Sequence, residues 1–175
     1  MIQNLPYSLR VAKTVIVLCI ALLAFLVALG NITDYYTNFY FVKHVFSMDT
    51  TFKGNGLMYR SIQNPTIHHL AYCFIILGEI IVSGLCFLGT WKMFKALSGS
   101  VTDFNKAKVW AVYGFIGGIL IWFLGFEVVA GEWFGMWMSQ TWNGLNSAER
   151  IVNFIAIGLI MLMLEEKGIT PKPST

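Results

Sequence analysis

The chain has 175 residues, of which 57% are hydrophobic and only 12% charged, with a formal net charge of +3. A soluble domain of this length needs far more charge to cover its surface, so composition excludes that class and points to one small integral membrane domain. The mean hydropathy of +0.66 agrees, and no basic run is interleaved with aromatics in the manner of a nucleic-acid binder.

A membrane-spanning helix takes roughly 20 mostly apolar residues, and the first such stretch covers residues 11–29. Arg10 and Lys13 precede its apolar core, and Ala28-Leu29-Gly30 has the small-x-small form of a cleavage site. The expectation is nevertheless a retained helix of the mature protein. The connection over 31–67 contains Phe39–Phe52, FYFVKHVFSMDTTF, which is too apolar for an ordinary loop. With Thr37 or Asn38 as N-cap, a helix running to Met48 puts Phe39, Val42 and Phe46 on one side, with Phe41 and Val45 beside them. Lys43 and Ser47 fall nearer the polar side, so this is a short amphipathic helix suited to the membrane interface. Lys53–Gly56, KGNG, supplies the turn after it.

Further spans are predicted over 70–94, 109–130 and 148–164, with a second outer connection over 131–147. The fold class is therefore an all-α, four-helix integral membrane bundle forming one domain. Cys19, Cys73 and Cys86 all lie inside apolar stretches and read as small hydrophobes. With both termini inside, Arg10, Lys13, Lys92, Lys95, Lys106, Lys108, Lys167 and Lys172 face inward, against Lys43, Lys53, Arg60 and Arg150 outward. The positive-inside rule favours that N-in, C-in topology. Tyr35, Tyr36, Tyr40, Trp133, Trp137 and Trp142 gather on the outer side, where aromatic rings settle at headgroup level. Phe41–Ser47 and Trp133–Ser139 share an aromatic and aliphatic pattern, which suggests a duplicated helix, outer segment, helix unit.

Polar groups in the spans carry the functional argument, because a charged side chain at mid-bilayer costs roughly 2.5–3.5 kcal/mol on insertion scales. Glu79 lies eleven positions after His68, so His68, Tyr72 and Glu79 form one helical stripe. Glu127 falls near the outer end of the third span, with Glu132 just beyond, at the expected level of His68 and Tyr72. His44, Asp49, His68, His69, Tyr72, Glu79, Glu127 and Glu132 make up the candidate polar cluster. Histidine and carboxylate together suit a transition metal or a proton relay. The simpler structural reading has Glu79 protonated and hydrogen-bonded to Tyr72 or a neighbouring helix, with the histidines capping helix ends near headgroups. Neighbouring His68 and His69 diverge by about 100° on a helix and cannot share one ion. A metal on His44, Asp49 and His68, or a quinone or lipid in a pocket lined by Trp133, Trp137 and the outer histidines, is the alternative to a protein that uses no cofactor. Gly114, Gly118 and Gly125 are expected on one packing face of the third span, and Ala21, Ala24 and Ala28 form a small-residue ridge on the first. No HExxH motif, Gly-rich phosphate loop or Ser/His/Asp arrangement occurs, so no catalytic residue is assigned.

Gly30–Phe52, GNITDYYTNFYFVKHVFSMDTTF, His68–Glu79, HHLAYCFIILGE, and Phe126–Gly144, FEVVAGEWFGMWMSQTWNG, together resemble the bacterial family of predicted small integral membrane proteins, a domain of unknown function. The resemblance covers nearly the whole chain. It implies a four-span protein of the bacterial inner membrane and brings no established activity. Three functions follow as expectations. The first is a non-catalytic accessory subunit, packed beside a membrane-protein partner or a second copy in the lipid bilayer. The second is a small transporter or ion conductor using Glu79 and Glu127, and the third an outward-facing metal- or quinone-dependent enzyme.

Overall fold

The computed structural model describes residues 5–168. They form an all-helical bundle in which four helices are long and apolar enough to cross a membrane. Helix α1 (Leu5–Thr33) bends at Asp34 into α2 (Tyr35–Ser47). After a loop come α3 (Pro65–Lys95) and α4 (Val101–Gly118), and α4 continues without a break as a π-helix over Ile119–Trp133. Helix α5 (Leu145–Met163) completes the bundle. Large apolar side chains such as Phe74 and Met163 are left exposed around the bundle, which only a lipid surround makes favourable. Lys172 of the charge count lies outside the described residues.

Local chemistry explains the helix ends. The Asn64 side chain accepts from Thr66 N–H ahead of Pro65, and Ser100 and Asp103 form a capping box at the start of α4. Lys92 and Lys95 occupy the last turn of α3, where the helix dipole favours cations. Helix α2 starts ahead of the Thr37 or Asn38 cap expected from sequence and has no side-chain cap. Asn38 is instead inside the helix and donates to Asn31 Oδ1 at 2.7 Å. Phe39 and Val42 are buried as expected, but Val45 is buried in place of the half-buried Phe46, and Ser47, expected nearer the polar side, is buried as well. Met48 ends it in the left-handed region at φ 52°, a conformation rare outside glycine.

The dry core consists of Val17, Ala21 and Ala24 of α1, Val82 and Cys86 of α3, Ala111 and Phe115 of α4, and Ile155 of α5. Glycine seams bring these helices close. A Cβ on Gly89 would stand 2.6 Å from Ala111 N, and one on Gly118 would stand 2.7 Å from Ile155 Cδ1. Gly114 lies against Cys86 in the same way. Gly125 differs from the expectation, since a Cβ there would come no closer than 3.7 Å to Leu120 O of its own helix. The reason is the π-helix. Its i→i+5 winding, seen in the Phe134 N–H to Val129 O bond of 3.1 Å, turns residues beyond Gly118 away from the α-helical register used for the prediction.

The suspected duplication has no counterpart in local structure. Phe41–Ser47 is α-helical, whereas Trp133–Ser139 leaves the π-helix, turns through Gly135 at φ 63° and makes a short 3₁₀ helix, Met136–Met138. Arg10 reaches Leu97, and Lys13 reaches Leu164, so both ends of the described chain lie on one side of the bundle, the termini end. The two long connections form the far end.

Candidate functional site

Glu79 is 1% exposed and sits on the inward face of α3. Its partner is Asn31, near the end of α1, whose Nδ2 donates to Glu79 Oε2 at 2.8 Å. Asn31 is the hub of the site. Its Oδ1 accepts from Asn38 of α2, and its backbone carbonyl accepts from the Tyr72 hydroxyl at 3.3 Å. The bend at Asp34 makes this possible by folding α2 back until Asn38 meets Asn31. The sequence reading gave Glu79 a partner on Tyr72 or a neighbouring helix; both contribute, with the asparagine in direct contact and the tyrosine one step behind.

Glu79, Asn31, Asn38 and Tyr72 line a cavity of about 460 Å³ at the far end. Thr37, Thr141, Asn143 and Ser147 add polar groups, and Phe41, Trp122, Phe126 and Trp142 supply aromatic wall. The volume falls within the range of small-molecule sites. Among the described residues neither lysine nor arginine lines it. Below Glu79 the dry core closes the bundle with Val82, Ser83 and Cys86, all buried.

A second cavity, of about 390 Å³, lies back to back with the first and shares Phe41, Val42, Ile75 and Phe126 with it. It has no charged or amide side chain in its lining, and Gly78, Gly117 and Gly125 leave room in its wall. Trp133 and Trp137, the residues expected near a quinone, line neither cavity.

The rest of the predicted cluster is dispersed. His44 Nδ1 and Asp49 Oδ2 are 2.7 Å apart at the surface, and the His44 ring stacks on Trp142 with centroids 4.7 Å apart. His68 is buried, and its Nε2–H donates to Ile62 O at 2.8 Å, which ties α3 to the preceding loop. His69 meets the Tyr35 hydroxyl through Nδ1 at 2.9 Å and stacks on Phe39. Thus His44, Asp49 and His68 do not converge as a ligand set. Among the described residues no three His, Cys, Asp or Glu side chains come together to hold a metal ion. Glu127 is half-buried, its Oε1 shielded and without a partner, and it does not line the cavity with Glu79. The π-winding again rotates it from the expected position. Glu132 is exposed, and Arg60 spans that region by donating to Trp133 O at 3.2 Å and covering the Trp133 ring.

Asn31 and Asn38 are the site residues the sequence reading missed. Their signal was two amides seven positions apart at the edge of the first span, but only the bend turns them toward each other. Replacing Asn31 with alanine leaves Glu79 without its donor and is expected to cost about 2 kcal/mol. Asn38→Ala removes one neutral bond and should cost about 1 kcal/mol. Thermal unfolding in one detergent checks that order.

A four-span, all-helical membrane protein with a polar cavity held around one buried carboxylate is the class these features define. The chain belongs to the family described as predicted small integral membrane protein, a domain of unknown function, whose model matches residues 9–165. No curated protein and no solved structure matches the chain.

Proposed function

We propose that this chain is a non-catalytic accessory protein of the bacterial inner membrane, with both termini cytoplasmic, and that its far-end cavity receives a cationic group. The observation that supports this reading is the make-up of the cavity: amides, hydroxyls and aromatic faces around a single carboxylate, with neither lysine nor arginine in the lining among the described residues. Such groups recognise a ligand. A reaction would call for a nucleophile with its base, or a set of metal ligands. Aromatic walls and a carboxylate together favour an ammonium or guanidinium, through the ring quadrupole and through charge. That cation is a basic side chain of a membrane partner or a small amine, which present the same chemistry.

The transporter reading draws less support. It needs Glu79 and Glu127 on one path, whereas Glu127 does not line the cavity and the dry core lies beneath Glu79.

Extraction from native membranes in mild detergent tests the proposal, with wild type and Glu79→Gln compared by intact mass spectrometry. A stoichiometric protein partner lost in the variant makes the cavity a subunit dock. A small amine lost in the variant, with no partner, makes it a ligand receptor. A wild-type chain that carries neither overturns the reading.

A further inference from the structure

Far from that cavity, at the termini end, four ionisable side chains are packed out of reach of solvent. Arg10 is 0% exposed, Lys13 4%, Lys108 8% and Glu166 7%. Lys13 Nζ and Lys108 Nζ both donate to Glu166 Oε1, the latter at 3.0 Å, and Arg10 Nε stands 3.8 Å from Oε2. Three cations therefore share one carboxylate. Backbone carbonyls take part of the charge: Leu162 O for Lys108 and Leu164 O for Lys13 at the C-terminus of α5, and Leu97 O and Gly99 O, in the turn between α3 and α4, for Arg10 Nη1. Two donors are still left over. Among the described residues, Arg10 Nε and Nη2 are buried with no hydrogen-bond acceptor. Buried unpaired donors are costly and rare in native structures, so their presence marks an acceptor set that Glu166 only partly supplies.

The carboxylate itself is not on a helix. Helix α5 ends at Met163, and Leu164 continues in extended conformation at ψ 137°. Glu166 thus stands on an extended segment after the helix, two residues beyond Leu164, whose carbonyl accepts from Lys13.

We propose that Arg10, Lys13 and Lys108 form a binding site for a phosphate group, and that Glu166 is its internal occupant, displaced when phosphate enters. A carboxylate brings one charge and two oxygens to a set of cations that carries three charges. A phosphate monoester brings between one and two charges and three acceptor oxygens, and a guanidinium fork matches its geometry in a way an ammonium does not. The site lies at the ends of the spanning helices, the level of lipid headgroups. The monoester headgroup of phosphatidic acid and a soluble phosphate present closely similar groups there.

The test uses the full chain, stripped of lipid in a zwitterionic sugar-free detergent, with wild type and Glu166→Gln compared. Inorganic phosphate and short-chain phosphatidic acid are titrated separately at matched ionic strength, followed by thermal unfolding and native mass spectrometry. Glu166→Gln is expected to bind at least tenfold tighter than wild type, because its internal competitor is gone. Arg10→Lys added to that variant keeps the charge but loses the fork, and should give back at least fivefold. If Glu166→Gln does not survive purification, Glu166→Asp, which withdraws the carboxylate by one methylene, replaces it with the same direction expected. A response to phosphatidic acid alone assigns the site to a lipid headgroup, and a response to inorganic phosphate as well assigns it to a soluble one. Equal binding by wild type and both variants, or binding by none of them, overturns the proposal.

Discussion

Glu166→Gln should lose about 3–5 kcal/mol of stability in phosphate-free buffer, the largest effect expected of any single substitution in this protein. The physical basis is the imbalance at the termini end. Lys13 and Lys108 donate to the same oxygen, and removing the charge they share leaves three buried cations facing backbone carbonyls and one neutral amide oxygen. Breaking a buried pair by deleting one partner typically costs 3–5 kcal/mol, because the other charge stays buried. The same cluster gives wild type an acid limit. Burial alone would raise the Glu166 carboxyl, but the hydrogen bonds and charges of Lys13 and Lys108 outweigh it and hold the group below its ordinary value of 4.5. A depressed carboxyl means that the unfolded chain takes up the proton first. The contribution of Glu166 is therefore complete above about pH 4.5 and is lost as pH falls through its lower folded value. Thermal unfolding followed from pH 7 down to pH 3 should show wild type losing stability over that range. Glu166→Gln, already destabilised, should lose distinctly less over the same range; parallel curves would remove the cluster from the account.

Gly89→Ala is expected to cost about 3 kcal/mol, while Gly84→Ala, in the same helix, stays within about 1 kcal/mol of wild type or gains slightly. The two positions differ only in what faces them. A Cβ at Gly89 meets Ala111 N at 2.6 Å and Ala111 Cα at 2.9 Å, which is backbone of α4 and cannot rotate away. The seam has to open, and overpacking of this kind costs about 1–3 kcal/mol, with the upper end fitting a backbone clash. At Gly84 nothing lies within 4 Å, so alanine contributes only its better helix propensity. Equilibrium unfolding in mixed micelles separates the two. A Gly89→Ala protein as stable as wild type would mean that the α3–α4 seam is looser than the backbone spacing implies.

How much of the site could be read in the sequence depends on the range of the interactions that build it. Glu79 and Tyr72 were legible as a stripe because helical periodicity is local, and both are buried on the inward face of α3. His44 and Asp49, five positions apart, could be picked out as polar residues in an apolar stretch, and they do pair with each other. His68, on the same stripe as Glu79, was not readable in its role, since Ile62 O claims its ring. Arg10, Lys13 and Lys108 could be read in the sequence as inward charges, the first two also as the basic flank of the first span, with no hint that Glu166 would gather them.

The sequence by itself determined the four spans, the all-α class, the amphipathic face of α2 and the cost of placing Glu79 in the membrane. Each of these follows from hydropathy and periodicity within a single stretch of chain. Only the tertiary structure decided that Asn31 is the partner of Glu79, that the third span winds as a π-helix beyond Gly118, and that Glu166 closes a basic cluster. Asn31 and Glu79 are 48 positions apart, and Lys13 and Glu166 are 153 apart. A hydrogen bond over such separations is set by which helices pack together and how closely their glycines let them approach, and periodicity within one helix carries no information about either.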